Sequence, residues 1–136
     1  MKYLLKVLIL SFIILCSISC RSQMIQTVSD LNKLDSNKTE FIGKPLDSLF
    51  KEIKLEIKSA VLSPGGFSMR PSYIIFYFVS NSDYHKYMKD TGKKPAHIRV
   101  LVKEDTFDIN MKGIDWTEED KKKYGGFTIG YIWVNN

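Results

Sequence analysis

Apolar residues recur along this chain at two spacings, and the spacing switches wherever glycine, proline or a run of small polar residues intervenes. Ile25, Val28, Leu31 and Leu34 fall at three-residue steps, which predicts a possible first helix that Asp35-Ser36-Asn37-Lys38 interrupts. Gly43-Lys44-Pro45 then reads as a turn with proline near a helix start. Leu46, Leu49, Phe50 and Ile53 follow at i, i+3, i+4 and i+7, the stripe of a short amphipathic helix. Next the period drops to two. Leu55, Ile57, Ser59 and Val61 alternate with Lys54, Glu56, Lys58 and Ala60, which predicts a strand with one wet face ending at Ser63-Pro64-Gly65-Gly66. The run from Tyr73 to Val79 is apolar on both faces, as a central strand covered on at least one side would be.

The second half repeats the alternation of elements. Ser80-Asn81-Ser82-Asp83 offers N-cap residues for a helix through Tyr84, Tyr87 and Met88 that ends near Gly92. Ile98, Val100 and Val102 alternate with His97, Arg99, Leu101 and Lys103 as a third strand, and Glu104-Asp105 is expected to turn it into a short further one at Phe107 to Met111. Thr117 with Asp120 three residues on approximates a capping box, and Gly125-Gly126 stops the helix it opens. Phe127, Ile129, Tyr131 and Trp133 alternate as the final strand. These elements predict an α+β two-layer sandwich, with four or five mainly antiparallel strands and short helices on one face. Residues 41–136 form its single domain, behind a tether and possible first helix over residues 20–40.

The first nineteen residues have a different character. Lys2 and Lys6 precede an uncharged stretch from Val7 to Ser19, shorter than the ~20 apolar residues needed to span a bilayer. That order is a signal peptide's. Ser17 and Ser19 supply the small residues that ordinary signal peptidase wants, and Cys20 supplies the +1 residue that lipoprotein processing wants. Both chemistries cut after Ser19. Ser17-Ile18-Ser19-Cys20 resembles the lipobox of bacterial lipoproteins, departing from it at Ser17, where that family usually carries Leu. Cys16 fits less well, because bulky Leu15 would occupy its −1 site.

The resemblance implies a signal peptide over residues 1–19, a lipid on the Cys20 thiol, further acyl chains such as palmitate, and a cell-envelope location. Each buried methylene of such chains adds about 0.8 kcal/mol, so more than one chain anchors stably to a membrane. Arg21 and Ser22 stand where an inner-membrane retention Asp would be, so the outer membrane, facing the periplasm, is the expected site. In size and general pattern the remainder is similar to small envelope lipoproteins of uncharacterised function, which implies an anchored, non-enzymatic module and transfers no active site.

Composition narrows the chemistry. Both cysteines lie in the first twenty residues, so the folded part has no disulfide. Losing Lys2 and Lys6 with the leader takes the formal charge from +5 to about +3. So mild a balance is no nucleic-acid footprint. Lys121-Lys122-Lys123 follows Glu118-Glu119-Asp120 in the order a helix dipole favours, a solvated helix face.

His85 and His97 are the only histidines, on different predicted elements, and no metal site is expected. Asp83 is a helix cap, His85 an exposed helix residue, and His97 falls on the wet side of its strand with Arg99. No Gly-x-Ser-x-Gly, phosphate loop or dinucleotide spacing occurs. Asp105, Asp108 and Asp115 lie in a turn-rich stretch where acids are common turn formers. No catalytic or cofactor-binding residue is therefore assigned. Aromatic residues stand out instead. Alternation sets Tyr73 and Tyr77 opposite Phe76 and Phe78, and Tyr131 with Trp133 on one face of the last strand. Such faces serve either as core or as a platform for a protein, peptide or sugar. The loop carrying Phe67, Met69 and Arg70 is a second candidate contact surface. The expected role is a binding or inhibitory module, immunity-type included, with an envelope protein or peptide as partner. The alternatives are a structural component of envelope assembly or stress tolerance, and a small hydrolase.

Overall fold

A computed structural model describes residues 23–64, 71–104 and 115–136. The leader with Ser19 and Cys20, the loop carrying Phe67, Met69 and Arg70, and the short strand expected at Phe107 to Met111 lie outside the described residues. The chain forms a 3-10 turn at Val28–Asp30, α1 (Leu31–Asn37), a second 3-10 turn at Lys38–Phe41, α2 (Leu46–Phe50), β1 (Ser59–Pro64) and β2 (Pro71–Tyr77). After these come α3 (Asn81–Thr91), β3 (His97–Val102), α4 (Glu118–Tyr124) and β4 (Ile129–Asn135). The four strands make one open antiparallel sheet in the order β1-β2-β3-β4, so the fold is α+β.

Register sorts the strand residues into two faces. Ala60, Phe76, Ile98 and Val134 lie in one row across the sheet, and Leu62, Ile74, Val100 and Ile132 in the next. Ile74, Phe76, Ile98, Val100 and Ile132 are fully buried there against Leu31 and Leu34 of α1, Leu46, Leu49 and Phe50 of α2, and Tyr124 of α4. Phe76 meets Phe50 and Trp116 edge-on, with ring centres 5.5 and 5.1 Å apart. α3 buries no residue and contributes nothing to this core. Ile25, Leu31 and Leu34 are completely buried, so the segment expected as tether and possible first helix takes part in the domain's core. α1 also runs through Asp35-Ser36-Asn37, the residues expected to break it. Their polar side chains bond back to the preceding turn, Ser36 to the Asn32 carbonyl and Asn37 to that of Lys33.

The first expected strand is corrected. Residues 54–58 are outside β1, although Leu55 and Ile57 still turn inward while Lys54, Glu56 and Lys58 point to solvent. The phase then flips: Ser59 and Ala60 are both buried, and Val61, expected beside Leu55 and Ile57, faces out. Pairing with β2 decides this, because Ala60 opposite Phe76 and Leu62 opposite Ile74 put the even positions on the core side. Buried Ser59 satisfies its hydroxyl on the Val79 carbonyl at 2.9 Å.

The helix ends follow the sequence closely. Ser80 Oγ accepts the Asp83 N–H at 3.2 Å, and α3 closes on Gly92 at φ +70°, a left-handed turn that glycine takes without a Cβ penalty. Thr117 and Asp120 form a complete capping box, the carboxylate accepting the Thr117 N–H at 2.9 Å. Gly125 ends α4 for another reason than expected. Its backbone is right-handed, and an added Cβ would run into the Asp47 side chain and come within 2.7 Å of the Lys121 carbonyl. The glycine permits the close approach through which the Asp47 N–H donates to the Gly125 carbonyl at 2.8 Å.

Candidate functional site on the outer face of the sheet

The odd positions of the strands build the other face. Val61, Ile75, Arg99 and Trp133 lie in one row across all four strands, and Tyr73, Leu101 and Tyr131 in the neighbouring row. Ser59, Tyr77, His97 and Asn135 make the third. β4 is an edge strand, as β1 is at the other side, so its outward side chains have a strand neighbour on one side only. Tyr131 and Trp133 are accordingly 40% and 42% exposed, with ring centres 4.7 Å apart and planes tilted by 56°. Two large rings exposed side by side form a small apolar patch, where core residues of this fold are below a tenth exposed.

Two cations border the rings. The Arg99 guanidinium carbon lies 5.1 Å from the Tyr73 ring centre and 5.9 Å from that of Trp133. Each such contact is worth about 0.5–1 kcal/mol at an exposed site and more where water is excluded. Arg99 Nε is inaccessible to solvent and has no acceptor, and Arg99 forms no ion pair among the described residues. Lys38, carried by the turn after α1, reaches the β4 edge and stands 5.6 Å over the Tyr131 ring. Its ammonium is neutralised by Asp35 at 2.8 Å, and that hydrogen bond raises its pKa. No Asp or Glu occupies a described outer-face position of the four strands, so among the described residues Arg99 has no counter-charge.

The far end of the face is closed. Tyr84 of α3 packs edge-on against Tyr77 at 5.0 Å, and Tyr77 meets the His97 ring at 5.1 Å. Burial pushes the Tyr77 hydroxyl up to about 12. His97, expected on a wet side, is only 4% exposed. Burial lowers its pKa against the opposing effect of the Pro95 carbonyl, which takes Nδ1 at 2.8 Å. Strand alternation puts His97 on the Arg99 face as expected, but the Tyr77–Tyr84 pair shields that corner from water.

A groove of about 320 Å³ lies on the helical side, between Phe50, Ile53, Ile57 and Trp116 and the charged rim of Lys54, Glu56, Glu118 and Lys121. Its charges alternate in sign, and no His, Cys or Ser is among the described residues lining it. No three His, Cys, Asp or Glu side chains among the described residues converge as metal ligands, and His85 stands exposed on α3.

Comparison with protein-family models, curated proteins and solved structures found no match.

The site is defined by this chain's own geometry. Of the residues expected to contact a partner, the fold brings Tyr131 and Trp133 together and exposes them; Phe67, Met69 and Arg70 lie outside the described residues. Sequence reasoning missed Arg99 and Lys38 as members of the same surface. Arg99 carried a signal, the lone positive charge in the alternation Ile98-Arg99-Val100-Leu101. Lys38 carried none, because its position depends on how α1 crosses β4.

Proposed function

We propose that this protein is an exported, lipid-anchored envelope protein whose folded domain is a non-enzymatic binding or inhibitory module, with the outer sheet face as its contact surface. The observation that carries the reading is the exposed Tyr131–Trp133 pair on an edge strand, bordered by a cation without a counter-charge among the described residues. Aromatic and arginine side chains supply most of the energy where proteins meet. The lipobox-like Ser17-Ile18-Ser19-Cys20 supports the anchored part of the reading. Among the described residues no helix is long and apolar enough to cross a membrane.

Both parts are open to test with the full chain. Fatty-acid label should enter the wild type and Cys16→Ala but be lost in Cys20→Ala; the reverse pattern refutes the anchor. Affinity capture from detergent-solubilised membranes should recover a defined partner that Tyr131→Ser with Trp133→Ser releases. Recovery of the same partner by the double variant, or repeated capture of nothing, refutes the contact surface.

A further inference from the structure

We infer that the niche between Tyr73, Arg99 and Trp133 is a carboxylate-binding site, and that the partner of the outer face is an acidic, apolar-rich protein segment in extended conformation. This rests on the outer face being the contact surface. A guanidinium that has given up part of its hydration needs acceptors, and a partly desolvated cation left without them is costly. Aromatic faces at 5.1 and 5.9 Å compensate the charge in part but accept no strong hydrogen bond. Arg99 Nε has no acceptor among the described residues. The comparison with Lys38 is internal to the same surface: that cation has Asp35 at 2.8 Å, whereas Arg99 has no carboxylate among the described residues. A carboxylate suits the planar fork of a guanidinium, which offers two parallel N–H donors.

Register supplies the rest of the partner's chemistry. Trp133 is directly opposite Arg99 on the next strand, and Tyr131 lies two residues along from Trp133. Same-side residues of an extended chain are about 6.8 Å apart, two steps of a strand, so a carboxylate over Arg99 places its i+2 neighbour over the ring pair. Alternation of acidic and apolar residues on one side of a segment matches this spacing. A second copy of this chain is a poor occupant, because a two-fold contact through the face would set Arg99 near its own symmetry mate with no acid among the described outer-face residues to separate them.

The probes are acetylated, amidated heptapeptides of the pattern Thr-Leu-Thr-X-Thr-Leu-Thr, with X as Glu, Gln or Lys, each bearing a fluorophore and titrated with the full chain in detergent by anisotropy. The Glu peptide should bind saturably and about tenfold tighter than the Gln peptide, with the Lys peptide weakest. Arg99→Met, which keeps the packed stem, should reduce the Glu peptide to the level of the Gln peptide, and Arg99→Lys should retain part of the preference. Equal binding of Glu and Gln peptides, or an Arg99→Met variant that folds and keeps the preference, overturns the carboxylate site. So does absence of saturable Glu-peptide binding. Binding that ignores X but is lost in Trp133→Ser overturns it while sparing the contact surface. Tighter Glu-peptide binding by Asp105→Asn with Asp108→Asn would show the chain's own carboxylates at Arg99 and overturn it too. A concentration-dependent dimer dissolved by Trp133→Ser would make a second copy the occupant.

Discussion

Replacing Leu34 with Ala tests whether the residues ahead of Phe41 hold the domain together. Leu34 is 0% exposed and sits in the cluster that joins α1 to Ile74, Phe76 and Ile132. The substitution deletes three carbons; at about 0.8 kcal/mol each the transfer loss is ~2.4 kcal/mol. The space left cannot close fully, because the neighbours are fixed by the sheet, so the total rises to about 3–4 kcal/mol. That is a large fraction of the ~5–15 kcal/mol a domain of this size has. In urea, with an m-value of about 1.5 kcal/mol/M, the midpoint should fall by about 2 M at unchanged slope. Far-ultraviolet circular dichroism reads it directly. Lys33→Ala, one residue away with its exposed ammonium paired to the part-buried Asp30 carboxylate, should move the midpoint far less. If Leu34→Ala shifts the midpoint by less than about 0.5 M, α1 rides on the domain without supporting it, and the account of the core is wrong.

Two further tests concern single elements. His97 has its pKa lowered in the folded state, so between about 6.5 and the folded value the unfolded chain binds more protons. Its contribution is complete above pH 6.5 and drains away as the pH falls through the folded value, at no more than ~1.4 kcal/mol per pH unit. His97→Phe should flatten the urea midpoint between pH 7.5 and 5; equal slopes for variant and wild type would contradict this. Thr117→Ala removes the hydroxyl that accepts the Asp120 N–H at 3.2 Å and should cost about 1 kcal/mol, seen as an unfolding midpoint lowered by roughly 0.7 M. No shift would mean that α4 is held by Tyr124 alone.

The sequence is most legible where one residue type answers one local need. Ser80, Gly92, Thr117 and Asp120 bracket α3 and α4 as their hydrogen-bonding habits dictate. The apolar run of β2 gives its existence, and the alternation of β3 gives both its existence and its core face. What escapes the period is the hand-over between elements. Leu55, Ile57, Ser59 and Val61 satisfy alternation perfectly, yet the pleat changes phase at Ser59-Ala60, because β2 fixes which residues oppose Phe76 and Ile74. The aromatic pair Tyr131–Trp133 was likewise visible as same-face neighbours, but its exposure follows from β4 being an edge, a property of sheet order. His97 shows the converse: alternation gives its side, and only the packing of Tyr84 on Tyr77 explains why that side is dry there.

Segments far apart in sequence meet, residues 32–47 with residues 125–136. Gly43, Leu46 and Asp47 donate backbone hydrogen bonds to Ile129, Phe127 and Gly125, and Asn136 at the terminus donates to Asn32 at 2.6 Å. Ile129 and Ile132, among the last eight residues, are wholly buried beside α1 and α2. A ribosome therefore delivers both N-terminal helices long before the strand that covers them exists. Closing so long a loop is unfavourable until those final contacts repay its entropy. Until β4 emerges, the apolar stripes of α1 and α2 lack Ile129 and Ile132 as neighbours, so this domain closes late in its own synthesis.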